Sequence, residues 1–124
     1  MKPESFGTYL RELRLKCSPT VTQEVLAKAI GRTKMTISQF EQEKNAPPQG
    51  ELLEKIIEAL HLTSDESTKL RFLAAQHRRT IPSDIEDYFF NHPCICDVIR
   101  AAQKANMSGA DWNLVITSIA SKNR

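Results

Sequence analysis

Residues 23–42 read QEVLAKAIGRTKMTISQFEQ, and the order of apolar, small and polar side chains in this run decides the fold. Leu26, Ile30, Ile37 and Phe40 stand at helical spacings on either side of a glycine. The run therefore predicts two short helices, over 23–30 and 33–42, that share one apolar seam. Helices this short bury a common seam only by crossing steeply with a tight turn between them. Ala27 lies where the two backbones come closest, and a longer side chain there would wedge them apart. Gly31 follows the first helix, where the chain needs a left-handed residue, a conformation that glycine adopts without a Cβ penalty. Thr22 and Thr33 each precede a helix and carry a hydroxyl that can cap its first amides.

Working outward, Phe6, Leu10 and Leu13 recur at spacings of four and three and predict a helix over 4–16. The segment NAPPQG at 45–50 breaks the chain. A helix then runs from near 48 to 60, with Leu52, Leu53, Ile56, Ile57 and Leu60 on one face. Ser64 is expected to cap a helix over 65–76 that buries Leu70, Phe72 and Leu73. TIPS at 80–83 interrupts it, because a residue before proline is pushed out of the helical region. The last forty residues predict three more short helices. Ser83 caps 84–91, and Pro93 opens 93–105 as a first helical residue. Ser108 with Asp111 makes an acidic capping box for a helix ending near 120, whose apolar side is Trp112, Val115, Ile116 and Ile119. The expected fold is all-α: five helices in a first domain, 1–78, and a short helical extension, 79–124.

Composition agrees. A hydrophobic share of 40% in 124 residues is enough for a core. The net charge of +2 is too small to imply a polyanionic partner by itself. Its distribution is more telling: residues 1–45 carry eight Lys and Arg against five Asp and Glu, and the remainder nine against ten. The first part is thus the more favourable face for phosphates. Three cysteines, an odd number, with no apolar leader and no membrane-spanning run point to a soluble cytoplasmic protein. His92, Cys94 and Cys96 invite a metal reading. On a helix, however, positions two apart point about 200° from each other, and no second ligand pair accompanies them. The two cysteines are read as buried thiols, with neither metal nor cofactor expected. No nucleophile motif or phosphate loop is present, so an enzyme is not expected.

With its Asn-Ala-Pro-Pro turn and the amphipathic helix that follows, the stretch from about residue 6 to 76 resembles the phage-repressor and Cro-type (XRE-like) helix-turn-helix regulators. Two positions depart from the family pattern. Arg32 replaces a commonly apolar residue after the glycine, and Glu43 stands where a glycine is common after the second helix. The resemblance implies that this second helix enters the major groove of double-stranded DNA. Thr33, Lys34, Met35, Ser38 and Gln39 would then face base edges. Lys34 is suited to guanine N7 and O6, Gln39 to a two-fold pair with adenine, and Met35 to the thymine methyl. Thr22, Gln23, Arg32, Lys44 and Asn45 would flank the groove and meet phosphate. The resemblance also implies an internal ion pair between Arg14 and Glu41, with Lys16 as a second candidate partner.

Regulators of this kind commonly bind inverted repeats as homodimers. The tail, IPSDIEDYFFNHPCICDVIRAAQKANMSGADWNLVITSIA over 81–120, resembles C-terminal extensions of small bacterial regulators. Ile85, Tyr88, Phe89, Val98, Ile99 and the apolar residues after Trp112 exceed what three isolated short helices can bury. They are expected either to form a dimer surface or to pack onto the first domain. The alternative from another class is an antitoxin or adaptor whose tail holds a protein partner.

Overall fold

A computed structural model describes residues 4–122, and its first three helices begin where a side chain caps them. Helix α1 (Phe6–Lys16) follows Ser5, whose hydroxyl accepts the Thr8 N–H at 3.3 Å. Helix α2 (Gln23–Ile30) is capped by Thr22 through the Val25 N–H at 3.1 Å. Helix α3 (Lys34–Glu41) is capped by Thr33 through the Thr36 N–H at 3.3 Å. Between α2 and α3, Gly31 takes φ 72° and ψ 35°, and the Arg32 N–H closes the turn onto the Ala27 carbonyl at 2.8 Å. Helices α4 (Glu51–Ala59) and α5 (Ser64–Arg78) complete the first part. Helices α6 (Glu86–Phe90), α7 (Cys94–Lys104) and α8 (Gly109–Lys122) follow. The fold is all-α, with no strand among the described residues.

The chain divides into two compact units, Met1–Glu86 and Asp87–Arg124. In the first, α2 packs on α3 and α4 while α1 lies on α3 and α5. Leu10, Leu26, Ile30, Ile37, Leu53, Ile56 and Leu70 are fully buried where these helices meet. Burying side chains of this size contributes about 1.5–3 kcal/mol each, which is what holds helices too short to persist alone. Residues 79–86 belong to this unit. Thr80 accepts from the Gln49 amide at 3.0 Å, and Asp84 lies 3.9 Å from Arg71.

Several local expectations are corrected. Helix α4 begins at Glu51 rather than near Pro48, because Gly50, at φ 61° and ψ −132°, turns the chain just before it. Pro47 and Pro48 are buried instead, and Arg78 donates twice to the Pro47 carbonyl, at 3.2 and 2.8 Å. Helix α5 is capped by Thr63, not Ser64: Thr63 and Glu66 exchange hydrogen bonds at 3.0 and 3.2 Å. Phe72 is 53% exposed. It lies about 200° around the helix from Leu70, and the inward face is taken by Ser67, Leu70, Leu73 and Ala74.

In the second unit, α6 is shorter than the expected 84–91, because residues 83–85 form a turn. Pro93 sits just outside α7, as its N-cap residue. Ser108 and Asp111 form the reciprocal box, with bonds of 2.9 and 3.3 Å. Ala102 is the only buried residue of α6, α7 and α8 among those described. Tyr88, Val98, Ile99, Ile116 and Ile119 are exposed, whereas Phe89, Trp112 and Val115 are half-buried. The cysteines are not the buried thiols the sequence suggested. Cys94 is exposed and Cys96 half-buried, since they occupy the first turn of a helix that buries only Ala102. The His92 ring stacks on Tyr88 at 4.1 Å, and its Nδ1 lies 2.8 Å from the Tyr88 carbonyl oxygen.

Candidate nucleic-acid interface

The outer side of α3 follows from its inner side. Ile37 and Phe40 are fixed in the seam, 0% and 7% exposed, with the Phe6 ring edge-on to Phe40 at 6.5 Å. Helical geometry then turns Met35, Ser38 and Gln39 the other way, and Lys34, in the first turn, stands at the edge of that outer face. Lys34 is exposed, Met35 is 68% exposed, and Ser38 and Gln39 are half-buried. Among the described residues Lys34 has no ion-pair partner. Thr33 is exposed but occupied, since its hydroxyl caps α3 and lies 3.2 Å from that of Thr36. Ser38 Oγ accepts from the Gln42 amide at 3.2 Å.

Around this face the structure builds two polar assemblies. The first is centred on Glu41, whose side chain is only 3% exposed. Arg14 grips its carboxylate with two prongs, Nε to Oε2 at 2.7 Å and Nη2 to Oε1 at 3.0 Å. The third guanidinium nitrogen, Nη1, donates to the Val21 carbonyl at 2.9 Å. The loop before α2 is thereby tied to the same pair, and no buried side-chain polar atom of the described residues is left without a partner. Gln23 joins from the first residue of α2, its Nε2 donating to Glu41 Oε1 at 3.1 Å. That bond uses one of the two amide hydrogens and leaves the other for an external acceptor. Lys16 takes no part in this pair; it reaches Glu66 at 3.2 Å instead.

Arg11, one turn before Arg14 on α1, lines an open recess of about 340 Å³ together with Gln23, Glu41 and Gln42. The sequence reading passed over Arg11 and Gln42. The signal for Arg11 was its spacing of three from Arg14, which puts both on one side of α1.

The second assembly closes the far end of α3. Glu43 takes φ 62°, the left-handed conformation that a glycine in its place would adopt without strain. This sharp turn brings the Lys44 N–H back to the Gln39 carbonyl at 2.9 Å and sets Asn45 beside the Gln39 side chain, Nδ2 to Oε1 at 2.7 Å. Arg32 and Lys44 are exposed at opposite ends of α3, and Arg32 Nη1 bends back to the Gly31 carbonyl at 3.1 Å. The result is a capped, buried-backed helix that presents a cation, a thioether and an amide to solvent.

One feature of the packing fixes how deeply α3 sits. A Cβ placed on Gly7 of α1 would come 2.5 Å from the Phe40 carbonyl oxygen and 2.6 Å from that of Glu41. The first helix therefore lies directly against the last turn of α3, and only a glycine permits the approach. No helix among the described residues is long and apolar enough to cross a membrane.

Comparison with known proteins agrees with this geometry. The family model described as a helix-turn-helix domain matches residues 5–70, just over half of the 124 residues, and covers α1 through the buried Leu70 of α5. No curated protein and no solved structure matches the chain. With α2 and α3 both capped and joined at a left-handed glycine, the chain belongs to the helix-turn-helix domain family, of the XRE-like type.

Proposed function

We propose that the chain is a sequence-specific transcriptional regulator, a repressor that binds an inverted repeat as a homodimer. The observation that carries this reading is the outer face of α3, where Lys34 and Met35 project from a helix whose other side is locked in the core. In the major groove, Lys34 donates to guanine N7 and O6. Gln39 pairs with adenine, Met35 meets a thymine methyl, and Thr33 and Ser38 add hydroxyl contacts from the same face. Thr22, Gln23, Arg32, Lys44 and Asn45 flank the groove at positions suited to phosphate. Gln23 is the best prepared of these, because Glu41 already orients its amide with one hydrogen spare. The exposed amides at the start of α2 lie beside it and favour an anion.

A single α3 covers a small footprint, and two copies entering successive major grooves double it. The second unit supports the dimer reading, since it leaves Tyr88, Val98, Ile99, Ile116 and Ile119 exposed. The same surface supports the second reading, an antitoxin or adaptor whose tail holds a protein partner. Light scattering separates the two: a stable two-fold particle supports the dimer, and a monomer with a protease-sensitive tail supports the partner.

Selection of bound sequences from randomised DNA tests the main proposal. The expected product is a short inverted repeat with half-site centres about 10–10.5 base pairs apart. Lys34→Ala relaxes the preference at one base pair per half-site. Gln23→Ala weakens every sequence alike and, because it removes no charge, leaves the salt slope unchanged. If both variants bind as the parent does, the assignment of roles is wrong.

A further inference from the structure

We infer that Asn45, outside the recognition helix, sharpens base specificity by holding the Gln39 side chain in place for its base. The inference rests on the reading of Gln39 as a base reader. A glutamine carries a terminal torsion that is broad and two-fold, so its oxygen and nitrogen can exchange places. Pairing with adenine needs them in one order only, the oxygen accepting from N6 and the nitrogen donating to N7. In this protein the Gln39 side chain is held in place before DNA arrives: Asn45 Nδ2 donates to Gln39 Oε1 at 2.7 Å. The Gln39 oxygen has two lone pairs, so this donation leaves one for the base and leaves both Nε2 hydrogens free.

The backbone makes the arrangement rigid. Glu43 at φ 62° reverses the chain, and the N–H groups of Lys44 and Asn45 both return to the Gln39 carbonyl, at 2.9 and 3.4 Å. Residue 39 is therefore held to residue 45 through main chain and side chain together. The buried Pro47 and Pro48, with the Pro47 carbonyl gripped by Arg78, anchor the segment two residues further on. Asn45 is thus a positioning residue. A side chain that only met phosphate would have no need of this bond.

The test is binding of the full chain to its selected site and to versions of that site altered one base pair at a time. The proteins are the parent, Gln39→Ala, Asn45→Ala, Asn45→Asp and the double variant Gln39→Ala with Asn45→Ala. Gln39→Ala should flatten the preference at one base pair per half-site by about fivefold to a hundredfold. Asn45→Ala should flatten the same base pair and no other, by about threefold to tenfold, since the freed amide must be ordered on binding. In the double variant the second change should add nothing at that base pair. Asn45→Asp keeps the shape, removes the donor and should lose the same preference.

A uniform loss over all sequences in Asn45→Ala, with preferences intact, overturns the inference and leaves Asn45 with a phosphate contact alone. If Gln39→Ala keeps every preference of the parent, Gln39 is no base reader and the inference fails with it. Asn45 is exposed and its backbone bond to Gln39 survives either substitution, so both variants should fold, and thermal melting checks this.

Discussion

Replacing Gly7 with alanine is a test in which sequence and structure predict opposite signs. Gly7 is the second residue of α1. By helix propensity alone, alanine there should stabilise by up to about 1 kcal/mol. The structure forbids the gain. The new methyl would lie 2.5 and 2.6 Å from two carbonyl oxygens and 2.9 Å from the Glu41 carbonyl carbon, where ordinary contact begins near 3.4 Å. All three atoms are backbone, so no side chain can swing away. Helix α1 must lift by nearly the missing distance, yet Phe6, Leu10 and Leu13 pin it in the core and Arg14 holds Glu41 at 2.7 Å. Overpacking of this kind costs about 1–3 kcal/mol. Each kcal/mol lowers the melting temperature by about 4–8 °C in a domain of this size. The assay is urea denaturation with the m-value checked for constancy, alongside melting. Gly109→Ala is the control, since no atom lies within 4 Å of its added Cβ, and it should shift stability by less than about 0.5 kcal/mol. A Gly7→Ala protein as stable as the parent, or more so, would refute the close approach of α1 to α3 and with it the account of how α3 is seated.

Three further outcomes are expected. Glu43→Gly should stabilise by about 0.5–1 kcal/mol, because it relieves a left-handed residue at φ 62° and gives back only part of that in unfolded-state entropy; an unchanged urea midpoint would count against strain at this turn. Glu41→Ala leaves the buried Arg14 guanidinium without its counter-ion, the pair being 7% and 3% exposed, and should cost about 3–5 kcal/mol; a loss below 1 kcal/mol would show the site open to water. The third concerns acid. The Thr63 backbone hydrogen bond and then Lys16 hold the Glu66 carboxyl below its ordinary value of 4.5, and the side-chain bonds from Arg71 do the same for Glu54. A depressed carboxyl contributes stability that is complete above the unfolded value and lost as pH falls through the folded one. Glu66→Gln should therefore flatten the melting profile below pH 4.5 and leave its slope near neutrality unchanged; identical acid limbs in variant and parent would remove Glu66 from the account.

The parts of this protein that could be read from residue order are those whose cause is local. The seam of Leu26, Ile30, Ile37 and Phe40, the left-handed Gly31, the threonine caps of α2 and α3 and the Ser108–Asp111 box each depend on residues within about one helical turn of one another or on a simple period. They fix the element order and the helix-turn-helix identity, and the family match spans the same residues. Local rules also produced the errors. Ser64 and Thr63 are both competent caps, and only the reciprocal bond with Glu66 selects Thr63. The expectation that Phe72 is buried with Leu70 and Leu73 fails because the face α5 turns to α1 is set by where α1 lies.

What the tertiary structure alone decided involves partners far apart in the chain. The bare face of Gly7 against the carbonyls of Phe40 and Glu41 joins residues more than thirty apart. The Gln23 amide on Glu41, the Arg14 bond to Val21 and the placement of Arg11 beside Gln42 likewise join separate helices or loops. Even the bond from Asn45 to Gln39 exists only because Glu43 accepts a strained turn that its side chain does not favour. Periodicity reports which side of a helix is buried. It carries no record of which neighbour covers that side or how near the neighbour comes, because that distance is set by the whole core at once.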